Sequence, residues 1–199
     1  MIIKCYNENH PYLLFIDLEF FNKWEEHTST NRLVQFTGLL FQWIDDDTYQ
    51  LMRSCNEYVT DKVCYPFVEY TAITTNFLAE NGIPLQDMIS SIYEDFLKDV
   101  PLNEILVISH GLKNDRLVML ENGLNLSNYN DKPIDGYCTF ENARKILDRK
   151  DNLTLADIAA ECGYYLHHAH NAYNDAWAEV AVYTYLKKIE EQKKLEGDE

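Results

Sequence analysis

The stretch Tyr12-Leu13-Leu14-Phe15-Ile16 is continuously apolar, and the pattern then alternates through Asp17, Leu18 and Glu19. An unbroken run of aromatic and branched residues predicts a central strand buried on both faces. Because strand side chains alternate, Asp17 and Glu19 share one face while Leu18 points into the core. Residues 20–31 lose the pattern and predict a polar loop carrying Phe20, Phe21 and Trp24. Leu33 to Trp43 and Thr48 to Val59 are two further strand-like runs, joined by Asp45-Asp46-Asp47 in a solvated hairpin turn. Residues 60–83 read as a loop with a short helical piece around Thr71 to Ala79.

Pro84 opens a helix whose Leu85, Met88, Ile89, Ile92 and Phe96 fall on one buried face. Glu104 to Ser109 is a short apolar strand entered from that helix, so it is expected parallel to the first. A helix follows Ser109-His110-Gly111, with Leu117, Val118 and Leu120 inside, Asp115 near its start and Gly123 as its stop. A short strand at Ile134 to Cys138 leads to a helix capped by Thr139. Another helix runs from Thr154, capped with Asp157, to Gly163. The last begins near Ala172, buries Ala176, Val180, Tyr183 and Leu186, and gives way at Lys187 to a charged, frayed tail. This order predicts an α/β chain of ribonuclease H-like layout: a mixed five-stranded sheet flanked by helices. A single domain is expected over residues 1–199, with its core at about 12–186.

Composition narrows the function. The chain has 199 residues and a formal net charge of -16, the wrong sign for coating nucleic acid through Lys and Arg. An acidic protein that cuts phosphodiesters needs metal ions to neutralise its substrate locally. Five cysteines without a CxxC pair indicate a reducing compartment. With no signal peptide or membrane span in the sequence, a soluble, cytoplasmic protein is expected.

Two carboxylates on one face repel unless a cation joins them, and a hard divalent ion such as Mg²⁺ takes such oxygen ligands. Asp115 and Asp175 also stand where apolar elements end, and acids so placed can converge at one edge of a sheet. His170 lies five residues before Asp175. With Asn171 as N-cap, His170 precedes the last helix and Asp175 occupies its first turn, so both can face one site. Asp115 also fits a plain helix N-terminal charge, and His110 a loop-closing hydrogen bond. His10 and His27 read as surface residues, and His167 and His168 are rivals of His170.

Asp17-Leu18-Glu19, Ser109-His110-Gly111-Leu112-Lys113-Asn114-Asp115 and His170-Asn171-Ala172-Tyr173-Asn174-Asp175 together resemble the three motifs of the DEDDh branch of DnaQ-like (ribonuclease T-like) 3′ to 5′ exonucleases. Leu33-Val34-Gln35-Phe36, Thr71-Ala72-Ile73-Thr74 and Tyr137-Cys138-Thr139 extend the likeness over about residues 12 to 185. Phe20-Phe21-Asn22 stands where the family often has Thr-Thr-Gly, and Ala72 where it has Gly. The resemblance implies two Mg²⁺ or Mn²⁺ ions, with Asp17 as bridge, Glu19 and Asp175 on the first ion and Asp115 on the second. It implies His170 as general base for the attacking water, a role that suits imidazole chemistry near neutral pH. Phe20, Phe21, Trp24, Ile73 and His110 are the substrate-contact candidates. Phe20 reads chiefly as a core anchor, whereas for Phe21 and Trp24 base stacking weighs equally.

The expected activity is hydrolysis at a single-stranded 3′ end, with RNA or short oligonucleotides favoured over DNA, releasing nucleoside 5′-monophosphates. A nuclease-fold scaffold without turnover and a ribonuclease H-type endonuclease are the alternatives. Besides the nucleic-acid end, a protein partner or a homodimer is compatible with the sequence, and a membrane is not.

Overall fold

In the computed structural model, residues 1–197 are described apart from 7, 26–27, 128–131 and 152, and the side chains at 23–25 and 28–29 are likewise outside the description. Six strands form one sheet: β1 (Ile2–Lys4), β2 (Tyr12–Glu25), β3 (Thr28–Asp45), β4 (Thr48–Tyr58), β5 (Ile105–Ser109) and β6 (Gly136–Cys138). Their order is β1-β4-β3-β2-β5-β6, so β2 is central. β2 pairs antiparallel with β3 and parallel with β5, as expected for a strand entered through helices from β4, which runs in the same direction as β2.

The helices are α1 (Tyr65–Thr71), α2 (Thr75–Asn81), α3 (Leu85–Ser91), α4 (Leu112–Glu121), α5 (Thr139–Ile146), α6 (Leu155–Glu161) and α7 (Ala172–Gly197). α3 passes into a π-helical turn at Ile92–Phe96, which keeps Ile92 and Phe96 on the same buried face as Met88. The Thr154–Asp157 capping box opens α6 as expected. No helix among the described residues is long and apolar enough to cross a membrane.

The pleat of β2 divides the core. Leu14, Ile16, Leu18 and Phe20 face one layer with Met88, Ile92, Phe96, Val107 and Val118. Leu13 and Phe15 face the other, where Ala176, Val180 and Tyr183 of α7 cover them. Alternation therefore puts Asp17 and Glu19 on the α7 side, and next in line is Phe21, buried with Val34, Phe67, Ile73 and Leu78.

Several sequence expectations need correction. The sheet has six strands, because Ile2–Lys4 pairs with Thr48–Gln50 at the edge; only Ile3 of the three is buried, too little to register as a pattern. Residues 20–25 and 28–31 are strand, not loop: the β2–β3 ladder runs from Tyr12↔Gln42 to Glu25↔Thr28. The ladder shifts register between Glu19 and Phe20, where Val34 becomes an extra residue opposite β2. The helical piece near Thr71 is two helices, because Ala72 takes φ 60 and Thr74 then caps α2 through Phe77 N. Leu117 and Leu120 are exposed, since Leu112, Asp115, Val118 and Met119 form the inward face of α4. Cys138, not Thr139, precedes α5, and the Thr139 hydroxyl is engaged with His110 instead. The expected frayed tail is helix to Gly197, tied back by Lys187 to Glu8 at 3.4 Å and by Lys193 to the Ile146 carbonyl at 2.7 Å.

Gly38 on β3 is a close-approach position, because a Cβ there would lie 2.7 Å from the Phe96 ring. Gly38→Ala should cost about 1–3 kcal/mol in urea unfolding through overpacking, and Phe96→Leu in the same chain should recover part of the loss.

Candidate active site

Three elements deliver the four acids. β2 carries Asp17 and Glu19, the first turn of α4 carries Asp115, and the first turn of α7 carries Asp175. Oxygens of Asp17, Glu19 and Asp175 lie within 4.8 Å of one another. Asp115 is outside that trio but close enough to raise the pKa values of Asp17 and Glu19.

Each start is fixed locally. The Ser109 hydroxyl at the end of β5 donates to Asp115 Oδ2, and α4 opens at Gly111. Asn171 accepts the Asn174 N–H as the N-cap of α7, and the backbone N–H of His170 donates to Asp175 Oδ2 at 2.9 Å. Gln35 faces Glu19 across the ladder and is fully buried. Its Oε1 accepts from Ala172 N at 3.3 Å, and its Nε2 donates to Asn56 Oδ1 at 2.8 Å and Tyr58 OH at 3.2 Å. An otherwise orphan N–H of α7 is thus satisfied by β3, which sets the height of Asp175 over Glu19.

A fifth acid joins them. Glu179 is 0% exposed, one helical turn after Asp175 on the same face of α7. Its Oε1 accepts the His110 N–H at 2.7 Å. Among the described residues Glu179 Oε2 and Asp175 Oδ1 find no hydrogen-bond partner, although both are buried. Sequence reasoning passed over Glu179, Gln35 and Ser109; the i, i+4 spacing from Asp175 and a polar residue inside Leu33-Val34-Gln35-Phe36 were the signals for the first two.

Loss of hydration is the main reason these acids hold their protons, and mutual repulsion adds to it. The Asp17 carboxyl is raised well above the ordinary range by burial, then by Asp115, Asp175 and Glu19. Glu19 is pushed up to about 8 by burial, then Asp175 and Asp115. Asp115 rises to about 6 through burial, against the Ser109 hydrogen bond, and Asp175 to about 6 through burial, against the His170 N–H. Among the described residues no lysine or arginine lines the two cavities beside the acids, and no ion pair reaches them. An all-oxygen donor set with unpartnered buried oxygens fits a hard divalent cation.

The two cavities flank the acids and meet at His170. One, about 440 Å³, is walled by Glu19, Phe20, Phe21, Asn22, Phe67 and Tyr70. The other, about 510 Å³, holds Asp17, His110, Leu155, Leu166 and Asp175. The His170 ring is exposed and stands edge-on to Tyr70, with centroids 5.8 Å apart, on a backbone of φ 64. Phe20 is partly buried in the core layer opposite the acids, while Phe21 packs on Phe67 at 5.7 Å with Ile73 in the same cluster. The Trp24 side chain and His27 lie outside the described residues. His110 binds through both ring nitrogens: Nε2–H donates to the Leu153 carbonyl at 3.2 Å, and Nδ1 pairs with Thr139 Oγ1 at 2.9 Å. Burial holds its pKa below the usual imidazole value, so the neutral ring closes the loop.

The sequence matches no protein-family model and no curated protein. Solved structures do match in fold. A 3′-exonuclease described with 3′-end recognition of a histone mRNA stem-loop aligns over 92% of this chain and 84% of its own, with TM-score 0.66 and 12% identity. E. coli Exonuclease I in complex with a dT13 oligonucleotide aligns over 91% of this chain at TM-score 0.67 and 17% identity, and there the chain spans 42% of the larger protein. Cell-death related nuclease 4 aligns over 90% and 64% of the two chains at TM-score 0.65 and 12% identity.

The raised carboxyls make stability depend on pH. Between about 4 and 8 the folded metal-free protein keeps protons that the unfolded chain has released, so its stability falls as pH rises. In EDTA the melting temperature should be several degrees lower at pH 8 than at pH 5.5, and millimolar Mn²⁺ should recover most of that loss at pH 8 and little at pH 5.5. Calorimetric scans at the two pH values check this, and equal melting temperatures in EDTA would contradict it. The chain thus shares its fold, a mixed sheet flanked by helices, with solved structures of a 3′-exonuclease and of Exonuclease I.

Proposed function

We propose that this chain is a metal-dependent 3′ to 5′ exonuclease acting on single-stranded nucleic-acid ends, with RNA or short oligonucleotides favoured, and releasing nucleoside 5′-monophosphates. The observation that carries this is the convergence of Asp17, Glu19 and Asp175 within 4.8 Å, beside Asp115, in the fold those nucleases have. Bound divalent cations supply the positive charge that the attacking and leaving oxygens of a phosphodiester require.

The arrangement suits two ions. Glu19 and Asp175 lie with Asp17 within 4.8 Å of one another and would hold one ion, while Asp115, outside that trio, would hold the other with Asp17 as the bridge. His170 sits where the two cavities meet and is free to accept the proton of the attacking water. A terminal nucleotide in one cavity and its neighbour in the other would put the bond between them over the acids. Phe20 and Phe21 wall the first cavity and His110 the second, so their part in substrate binding is to shape these walls. The preference for short or single-stranded ends rests on the net charge of -16, which gives a long polyanion little to hold.

The test is incubation of 5′-labelled single-stranded RNA and DNA oligomers with Mn²⁺ or Mg²⁺. Wild type should give a ladder shortening from the 3′ end and leave a circular single strand intact. Asp17→Ala should abolish trimming, and His170→Ala should slow it by about 10²–10⁴-fold. A wild type that trims neither polymer favours the scaffold, and cleavage of the circle favours an endonuclease.

A further inference from the structure

Glu179 is the buried acid that the three sequence motifs leave unassigned. It is fully enclosed, and its two oxygens are treated differently: Oε1 accepts the His110 N–H at 2.7 Å, while Oε2 has no partner. Its position follows from the fold. α7 runs over β2 with Val180 and Tyr183 on Leu13 and Phe15, so the turn nearer its start covers Asp17. β5 pairs with β2 up to Phe15↔Ile108, which brings His110 beside that same point. Glu179 thus stands over the junction of β2 and β5, between Asp17 and the loop leading to Asp115.

A carboxylate that only tethered the loop would need one oxygen and could turn the other to water. Here the second oxygen is sealed in, where an unpartnered polar atom costs about 1–3 kcal/mol. Among the described residues no ion pair reaches it. We infer that Glu179 is a fifth acid of the metal centre, its free oxygen serving the ion held by Asp17 and Asp115 while its other oxygen fixes the β5–α4 loop through His110. The inference rests on the two-ion reading proposed above. It predicts that the second ion is lost more readily than the first when this one side chain loses its charge.

Glu179→Gln separates the two roles, since the amide oxygen still accepts from His110 N–H but the negative charge is gone. Mn²⁺ binding is measured by calorimetric titration and by electron paramagnetic resonance of free Mn²⁺, on wild type, E179Q and E179A, with melting in EDTA as a check on folding. Wild type should bind two equivalents. E179Q should bind the second at least tenfold more weakly and the first within about threefold, with its EDTA melting temperature equal or higher. E179A should show the same loss for the second ion and answers the question if the amide variant does not fold. Unchanged affinity for both ions in either folded variant overturns the inference and leaves the nuclease proposal standing. No Mn²⁺ binding by wild type overturns both.

Discussion

Five carboxyl groups share one dehydrated place, and among the described residues no lysine or arginine forms an ion pair with them. Asp17, Glu19, Asp115, Asp175 and Glu179 each hold their protons above the ordinary range, with loss of hydration as the main cause in every case. A fold spends stability to keep such a group together, because each charge formed there repels the others across a medium that screens poorly. The surrounding architecture holds that arrangement in place. Gln35 fixes the start of α7, Ser109 holds Asp115, and Glu179 clamps the β5–α4 loop. Those bonds join β3, β5 and α7, so the acids cannot relax apart without breaking the sheet-to-helix contacts that bury Phe15 and Tyr183.

Much of this was legible in the sequence, for a physical reason. Where an element is buried on one or both faces, its period survives in the residues, as in Tyr12 to Glu19 and in Ala176, Val180, Tyr183 and Leu186. The same pleat that buries Leu13 and Phe15 under α7 aims Asp17 and Glu19 at Asp175, so strand spacing carried directly into site geometry. The fold neighbours agree with the layout expected from the motifs, six strands replacing five. Expectation failed where burial stops. Beyond the bulge at Glu19 and Phe20, β2 and β3 continue as a ladder with exposed Asn22 and Ser-, Thr- and Asn-rich partners, and no alternation marks it. α7 likewise outlasts its buried face and is kept helical past Lys187 by side-chain ties that have no sequence period.

Two departures from the family pattern become intelligible in the same terms. Ala72 occupies a left-handed turn at φ 60, a conformation that costs an alanine about 1–2 kcal/mol and a glycine little, so the glycine usual there has a backbone reason. The junction persists because Thr71 and Thr74 both bond to it: Thr71 Oγ1 accepts from Ile73 N, and Thr74 caps α2. Phe20 and Phe21 replace small residues by splitting between the two faces of β2. Phe20 joins the layer with Leu18, and Phe21 meets Phe67 on α1. The bulk that replaces Thr-Thr-Gly is therefore absorbed largely into packing, and the cavity beside Glu19 survives with aromatic walls.

The charge of the chain and the charge of the site act over different ranges. A net charge of -16 spread over the surface is screened within about 8–10 Å at physiological salt, whereas ions seated among buried carboxylates act on a phosphate in direct contact. On the proposed function, an incoming strand would meet repulsion along most of its length and attraction only at the acid cluster with its cations bound. Such a surface favours ligands whose charge is concentrated at the point of binding over ligands that need many contacts. Under that proposal a chain end would present one terminal phosphodiester to the two cavities of about 440 and 510 Å³, and the rest of the strand need not touch the protein. The acidic surface and the buried acids would then select together: the first would reject extended contact, and the second, with cations bound, would accept a single bond at an end.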